Sequence, residues 1–128
     1  MLLPDQFQVN EAWIAFTLSE APIRTEQDGA FNCVALMDAA SCVILSSEFV
    51  PVGNPEPSKI EAERLLKAGQ ERARCFPATL FVPAGQFQVN LSAEAKRQSI
   101  SVVTVHERQL QAFIGEARRS FQQHFGGR

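Results

Sequence analysis

The chain has 128 residues with a net charge of −2 at pH 7, and 45% of its residues are hydrophobic. A length of this order is typical of one domain, so we predict a single domain over residues 1–128. No apolar run approaches the roughly 20 residues that cross a bilayer, which argues against a membrane span. The slightly acidic balance argues against a general nucleic-acid binder.

The first predicted strand covers residues 13–18, an almost continuous apolar run of strand-forming residues. Such a run is typical of a strand that is covered on both faces. The polar segment that follows, residues 19–30, is predicted to be a surface connection because it contains Pro22 and an Asp28-Gly29 turn signal. Residues 22–24 within it are a candidate extension of the sheet edge.

Two further apolar runs, residues 33–37 and 42–45, flank a short polar-ended segment and predict a β-hairpin. Alanine tolerates positive φ poorly, and the segment between the runs reads Asp38-Ala39-Ala40-Ser41. We therefore expect a type I turn with Asp38 at its first position.

The register that follows from this turn places Met37 opposite Cys42 and Cys33 opposite Ser46. The two cysteines then lie too far apart along the strands to form a disulfide. Alternating polar and apolar residues predict that the second strand continues to Val50, with one face meeting solvent near that end.

A proline-rich segment, residues 51–57, ends the predicted sheet, and a helix is predicted to follow it. Ser58 and Glu61 match the capping box that begins many helices, and the helix is predicted to run to about Arg74. Gly69 costs roughly 1 kcal/mol inside a helix, so we expect it to mark a close approach to the sheet. The predicted buried stripe consists of Ala62, Leu65, Leu66, Gly69 and Ala73.

The second half of the chain alternates strands and helices. Residues 78–82 and 100–105 are predicted strands, and residues 86–98 lie between them. Both a helix and a strand pattern fit the start of that segment, and we predict a helix that is well defined from Leu91. The last predicted helix has one apolar stripe made of Leu110, Phe113, Ile114, Ala117, Phe121 and Phe125.

A five-residue sequence occurs twice in the chain: residues 86–90 repeat residues 6–10 residue for residue. No longer similarity surrounds either copy, so the repeat does not indicate a solenoid. Two interpretations stay open: coincidence, or one local turn that is used twice.

The order of elements is strand, strand, strand, helix, strand, helix, strand, helix. This order predicts an α/β (α+β) domain with a mixed sheet of about five strands, in which an antiparallel meander is followed by helical crossovers. From Trp13 onward the order resembles the ribonuclease H-like fold. Residues 33–125 also resemble a family of uncharacterised bacterial domains, in an apolar strand ending in Asp, a hairpin, a proline-rich helix entry and paired strand–helix units. That family implies the fold and no activity.

The resemblance to ribonuclease H implies clustered carboxylates that hold two divalent ions. The available candidates are Asp38, Glu48 and Glu61, and each has a structural explanation as a turn, half-exposed strand or cap residue. Neither residues 13–18 nor the strand ending at Pro83 contains a carboxylate. We therefore predict no catalytic residue and no cofactor, and we keep a divalent-metal nuclease, or a degenerate relative of one, as the alternative.

Cysteine and histidine residues do not predict a metal site. Cys33, Cys42, Cys75, His106 and His124 lack the short paired spacings of structural zinc. An odd number of cysteines also argues against a disulfide framework, and the first five residues lack the features of a secretory signal. We therefore predict a cytoplasmic location.

Charge is divided unevenly along the chain. Residues 1–58 carry eight acidic residues and one basic residue, whereas residues 59–128 carry eleven basic and six acidic residues. One interpretation is a solvated sheet beside basic helix faces; the other is electrostatic complementarity between subunits. Phe121 and Phe125 near the end of the last helix, with Arg118 and Arg119, form a predicted interaction surface. The leading hypothesis is a non-enzymatic module that binds a protein partner or itself as a homodimer.

Overall fold

The computed structural model describes residues 1–27 and 29–125, the last two of these without their side chains. It confirms the predicted α/β class. Short 3₁₀ segments cover Pro4–Gln6 and Glu107–Leu110. The strands and helices, in chain order, are β1 (Ala12–Thr17), β2 (Ile23–Thr25), β3 (Gly29–Asp38), β4 (Ile44–Pro51), α1 (Lys59–Ala73), β5 (Thr79–Pro83), α2 (Asn90–Arg97), β6 (Ser101–Val105) and α3 (Gln111–Phe125).

The six strands form one mixed sheet. Strand β3 pairs antiparallel with β4 along one edge, and with β1 and then β2 along the other. Strand β1 also pairs parallel with β5, and β5 pairs parallel with β6. The order across the sheet is therefore β4–β3–β1–β5–β6, with β2 continuing the row of β1. Strand β2 confirms the predicted extension of the sheet edge and accounts for the sixth strand.

Helices cover both faces of the sheet, so the chain has two apolar layers. Trp13 and Ala15 of β1 point toward the layer under α1 and α2, whereas Ile14 and Phe16 point toward the layer under α3. All four side chains are fully buried. This double coverage explains why residues of β1 are apolar at every position rather than at every second one. Among the helices that the structure describes, none has the length and apolar character needed to cross a membrane.

Helix α1 begins and packs as predicted. The Ser58 hydroxyl accepts a bond from the Glu61 amide (3.2 Å), and the Glu61 carboxylate accepts one from the Ser58 amide (2.9 Å). A Cβ placed on Gly69 would lie 3.1 Å from the Trp13 ring and 3.3 Å from the Leu36 side chain. Gly69 therefore marks the close approach of helix and sheet that the sequence predicts.

The predicted hairpin is present, but its predicted register is wrong. Met37 lies opposite Ile44 rather than Cys42, and Cys33 lies opposite Phe49 rather than Ser46. Two irregularities account for the shift: a bulge between Leu36 and Met37, and a longer loop that ends with Cys42 at a φ of 60°. The loop is longer because its closing bonds join Asp38 to the backbone of residues 42 and 43 instead of closing a four-residue turn.

The two copies of the repeated pentapeptide adopt different conformations. In the first copy Asn10 has a positive φ of 65°, whereas in the second copy the positive φ of 55° is at Phe87. The second copy then enters α2, which confirms the predicted helix from Leu91. The interpretation that one local turn is used twice is therefore wrong.

The last helix confirms most of its predicted stripe. Leu110, Phe113 and Ile114 are buried, and Ala117 and Phe121 pack at the edge of the same cluster. The remaining stripe residue, Phe125, has its side chain outside the described part of the chain, as has His124.

Candidate functional site

Asp38 is the most deeply buried of the three candidate carboxylates, with 1% of its surface exposed. One carboxylate oxygen accepts a bond from the Asn10 amide (2.7 Å), and the other accepts bonds from the Ser41 amide (2.8 Å) and hydroxyl (2.7 Å). Charge-assisted bonds of this kind are strong and position both partners. Asp38 therefore ties the hairpin loop to the turn that precedes β1.

Glu48 and Glu61 are also engaged in local contacts. Glu48 on β4 accepts bonds from Arg64 of α1, one of them from Nε at 3.0 Å, and Glu61 completes the cap of the same helix with Ser58. Glu48 pairs across the sheet with Val34, four residues from Asp38 on β3. Four residues of strand span about 13 Å, so the fold does not bring Asp38 and Glu48 to one ion.

The carboxyl ends of β1, β5 and β6 lie at one edge of the sheet because these three strands are parallel. At this edge the Arg118 guanidinium donates from Nε to the Thr17 carbonyl oxygen (3.0 Å) and from Nη2 to the Glu107 carboxylate (2.8 Å). The Arg118 side chain is only 15% exposed. An arginine–glutamate ion pair, rather than a group of carboxylates, therefore lies beside the end of β1.

No metal-binding cluster is found in the described part of the chain, where no three His, Cys, Asp or Glu side chains come together. All three cysteines are free. Burial raises the pKa of the Cys33 thiol, and burial together with the Asp38 charge raises the pKa of the Cys42 thiol. Neither is a ready nucleophile, because the thiolate is the reactive form.

The predicted interaction surface on α3 divides into residues with different environments. Arg118 is engaged with the body of the protein, whereas Arg119 is exposed and pairs with Glu116 at 2.6 Å. Phe121 is half-buried. The fourth predicted residue, Phe125, has a side chain that lies outside the described residues.

An apolar groove runs between the β3–β4 hairpin and α3, with a volume of about 620 Å³. Leu18, Met37 and Phe113 form its buried floor. Ile44 lines the hairpin side and Ala117 the helix side. Of the described residues that line it, Glu116 is the one with a charged side chain. Sequence periodicity located the helix stripe, but the groove depends on the distance between hairpin and helix.

Sequence reasoning missed the residue that caps α2. Val89 occupies the N-cap position and its side chain makes no capping bond. Instead the Glu56 carboxylate accepts bonds from the backbone amides of Val89 (3.2 Å), Asn90 (2.9 Å) and Leu91 (3.3 Å). A carboxylate at a helix N-terminus is favoured by the helix dipole. No local pattern signals this contact, because the partners are more than thirty residues apart in sequence.

The sequence matches no model of a known protein family and shows no significant similarity to a curated protein. Its structure is similar to retroviral integrase structures. A chain of the simian T-cell lymphotropic virus intasome in complex with PP2A regulatory subunit B56 gamma has a TM-score of 0.60 at 11% identity. The alignment covers 90% of this chain and 39% of that one, so the present chain spans about two-fifths of the length of its intasome counterpart.

Two isolated catalytic cores give a similar result. The BIV integrase catalytic core has a TM-score of 0.55 at 14% identity, covering 90% of this chain and 72% of that one. The HTLV-2 integrase catalytic core in complex with magnesium has a TM-score of 0.53 at 11% identity, covering 87% and 84%. At these identities the likeness concerns the fold alone. That fold is ribonuclease H-like.

Proposed function

We propose that this chain is a non-enzymatic, self-associating module with a ribonuclease H-like fold, and that two copies meet through α3 and its adjoining groove. The observation that carries this proposal is the apolar groove between the hairpin and α3, which is large enough to take side chains of a second copy. Apolar patches bordered by polar residues are typical of protein interfaces.

The exposed side of α3 suits a pairing between identical helices. Ala112 and Ser120 are exposed on it, and small residues allow two helices to approach closely. Between them, Glu116 and Arg119 carry opposite charges. An antiparallel second α3 brings each Glu116 near the Arg119 of the other copy, as a two-fold interface requires. The surface is therefore complementary to itself in charge.

Charge at the carboxyl end of β1 supports a binding role rather than a two-metal reaction. The two-metal reaction that the resemblance implies uses clustered carboxylates, whereas Arg118, paired with the single carboxylate of Glu107, lies beside the end of β1. The three candidate carboxylates serve the hairpin loop, an ion pair and a helix cap.

Sedimentation velocity over a range of protein concentrations tests self-association. We expect a reversible dimer whose dissociation constant rises about tenfold, or 1.4 kcal/mol, in Ala112→Glu, because the new charge enters the interface. Glu116→Arg and Arg119→Glu should each weaken the dimer, and the double variant should restore it. Glu26→Arg, a charge change in the exposed β2–β3 connection, is the matched control.

A monomer at high micromolar concentration contradicts the proposal. If Ala112→Glu and Glu26→Arg both form the dimer as tightly as the unchanged protein, α3 is not the interface.

The second candidate is a divalent-metal nuclease, and the observation that favours it is the similarity to integrase cores. The test is incubation of single- and double-stranded DNA and RNA with the protein and Mg²⁺ or Mn²⁺. We expect no cleavage. Cleavage that is lost in Glu48→Gln but kept in Glu26→Gln would establish the nuclease instead. Binding without cleavage that falls steeply with salt would indicate that the basic half binds nucleic acid.

We also propose a cytoplasmic location. Three free cysteines support it, since thiols persist in a reducing compartment. The bacterial origin implied by the sequence resemblance stays a prediction.

A further inference from the structure

We propose that a second cavity, between the β1–β2 connection and α3, binds a small organic anion: a carboxylate or phosphate that carries an apolar group. This cavity has a volume of about 560 Å³, within the range of small-molecule sites. Its lining combines Arg24 and Arg118 with Ser19, Ile23 and Phe121. The proposal does not depend on self-association.

Arg24, together with the part of the Arg118 guanidinium that Thr17 and Glu107 leave free, gives the cavity its preference for anions. Arg118 uses Nε and Nη2 to hold the Thr17 carbonyl and Glu107, which fixes the plane of the group. Its Nη1 donates to none of the described residues. Arg24 is exposed on β2 and forms no ion pair with another described side chain. The fork of an arginine matches the oxygens of a carboxylate or phosphate.

Further donors come from the connection between β1 and β2. Ser19 is 5% exposed, and its hydroxyl oxygen accepts a bond from the Cys33 amide at 3.0 Å. The hydroxyl accepts this bond through a lone pair of its oxygen, which leaves its own O–H free to donate to a ligand. The amides of Glu20 and Ala21, which also line the cavity, donate no hydrogen bond within the described chain. Buried acceptor groups of a ligand can therefore be satisfied along this wall.

The rest of the wall is apolar. The ring of Phe121 and the side chains of Pro22 and Ile23 line the cavity beside the arginines. A ligand with only a charged group leaves this surface in water, whereas a ligand with an aryl or alkyl group covers it. Among the lining residues that the structure describes, Glu20 is the one carboxylate, and it repels an anion. Removal of the Glu20 charge therefore tests whether the ligand is negatively charged.

Isothermal titration calorimetry with 3-phenylpropanoate, phenyl phosphate and inorganic phosphate tests the proposal. We expect one equivalent of at least one phenyl compound to bind, more tightly than inorganic phosphate. The two phenyl compounds distinguish a carboxylate from a phosphate ligand. Affinity should fall about tenfold in Arg24→Gln, since a charge-assisted bond is lost. It should rise about twofold in Glu20→Gln, because a repelling charge is removed.

Arg72→Gln is the matched control, because Arg72 is an exposed arginine on α1, on the other face of the sheet. Its affinity should equal that of the unchanged protein. Absence of binding by both phenyl compounds at millimolar concentration overturns the proposal. Equal losses in Arg24→Gln and Arg72→Gln also overturn it, since they indicate a diffuse charge effect. Weaker binding of the phenyl compounds by Glu20→Gln contradicts the repelling role of Glu20 and overturns the assignment of the cavity as an anion site.

Discussion

Arg118 on the last helix donates a hydrogen bond of 3.0 Å to the carbonyl oxygen of Thr17 at the end of β1. The same guanidinium bonds Glu107 in the segment that leads into that helix. One side chain thus joins the central strand, the 3₁₀ turn after β6 and α3. It also supplies a wall of the proposed anion site, so its position matters to both fold and function.

Replacement of this arginine by lysine tests how much its contacts with Thr17 and Glu107 contribute to stability. Arg118→Lys keeps the charge but removes the planar guanidinium that donates to Thr17 and Glu107 at the same time. We expect the free energy of unfolding to fall by about 1–2 kcal/mol. Arg119→Lys is the control, since its exposed pair with Glu116 contributes about 0.5 kcal/mol or less. Urea denaturation at low protein concentration measures both. Equal losses of stability in the two variants would contradict a stabilising role for the hydrogen bonds of Arg118.

Replacement of Gly69 by alanine should destabilise the protein, whereas replacement of Gly115 by alanine should stabilise it. Gly69→Ala places Cβ against the fully buried indole of Trp13 at 3.1 Å. We expect a loss of about 1–3 kcal/mol from overpacking, larger than the gain in helix propensity. Gly115→Ala meets only the end of the Gln111 side chain, at 3.8 Å. It should therefore stabilise the protein by about 0.5–1 kcal/mol. Thermal or urea unfolding of both variants decides, and stabilisation by Gly69→Ala contradicts the close contact.

The hairpin loop depends on the charge of Asp38. Asp38→Asn has one oxygen for three donors, and its amide nitrogen faces groups that are themselves donors. A buried donor left without an acceptor costs about 1–3 kcal/mol, and we expect a loss of stability in that range. Ser41→Ala removes only the hydroxyl and should cost about 1 kcal/mol. Equilibrium unfolding compares the two, and a milder effect of Asp38→Asn would argue against this network.

Stability should also depend on pH through Glu94. A hydrogen bond from Arg97, with a further one from Gln98, holds the pKa of Glu94 below its ordinary value, although burial opposes the shift. Because the folded pKa is the lower one, the unfolded chain binds the proton more readily. The stabilisation is complete above the ordinary value of 4.5 and is lost as the pH falls through the lowered pKa.

Arg97→Gln removes the principal cause of this shift. The variant should therefore lose less stability than the unchanged protein as the medium is acidified below that window. Urea unfolding at a series of pH values, with NMR titration of the Glu94 carboxyl, measures both effects. A Glu94 pKa that is the same in the variant and in the unchanged protein contradicts the assignment.

Local patterns in the amino-acid order were sufficient to predict the helices, five of the strands and the class of fold, and they marked the sixth strand as a candidate extension. Burial on both faces makes β1 apolar at every position, and a capping box marks the start of α1, so neighbouring residues carry these signals. The small stripe with Gly69 even indicated a contact between helix and sheet. These features depend on a few consecutive residues and therefore appear in the sequence itself.

Tertiary structure alone decided the hairpin register, the cap of α2, the groove, and the contacts of Arg118 with Thr17 and Glu107. The hairpin register is shifted by a bulge between Leu36 and Met37 and by a loop closed through bonds between Asp38 and residues 42 and 43, and the Asp38 carboxylate also accepts a bond from Asn10, twenty-eight residues earlier. The Glu56 cap and the Arg118–Thr17 bond join residues that are thirty-three or more positions apart. Such partners meet only after the chain is folded, since hydrogen bonds and cavities depend on distance in space and not on separation along the sequence.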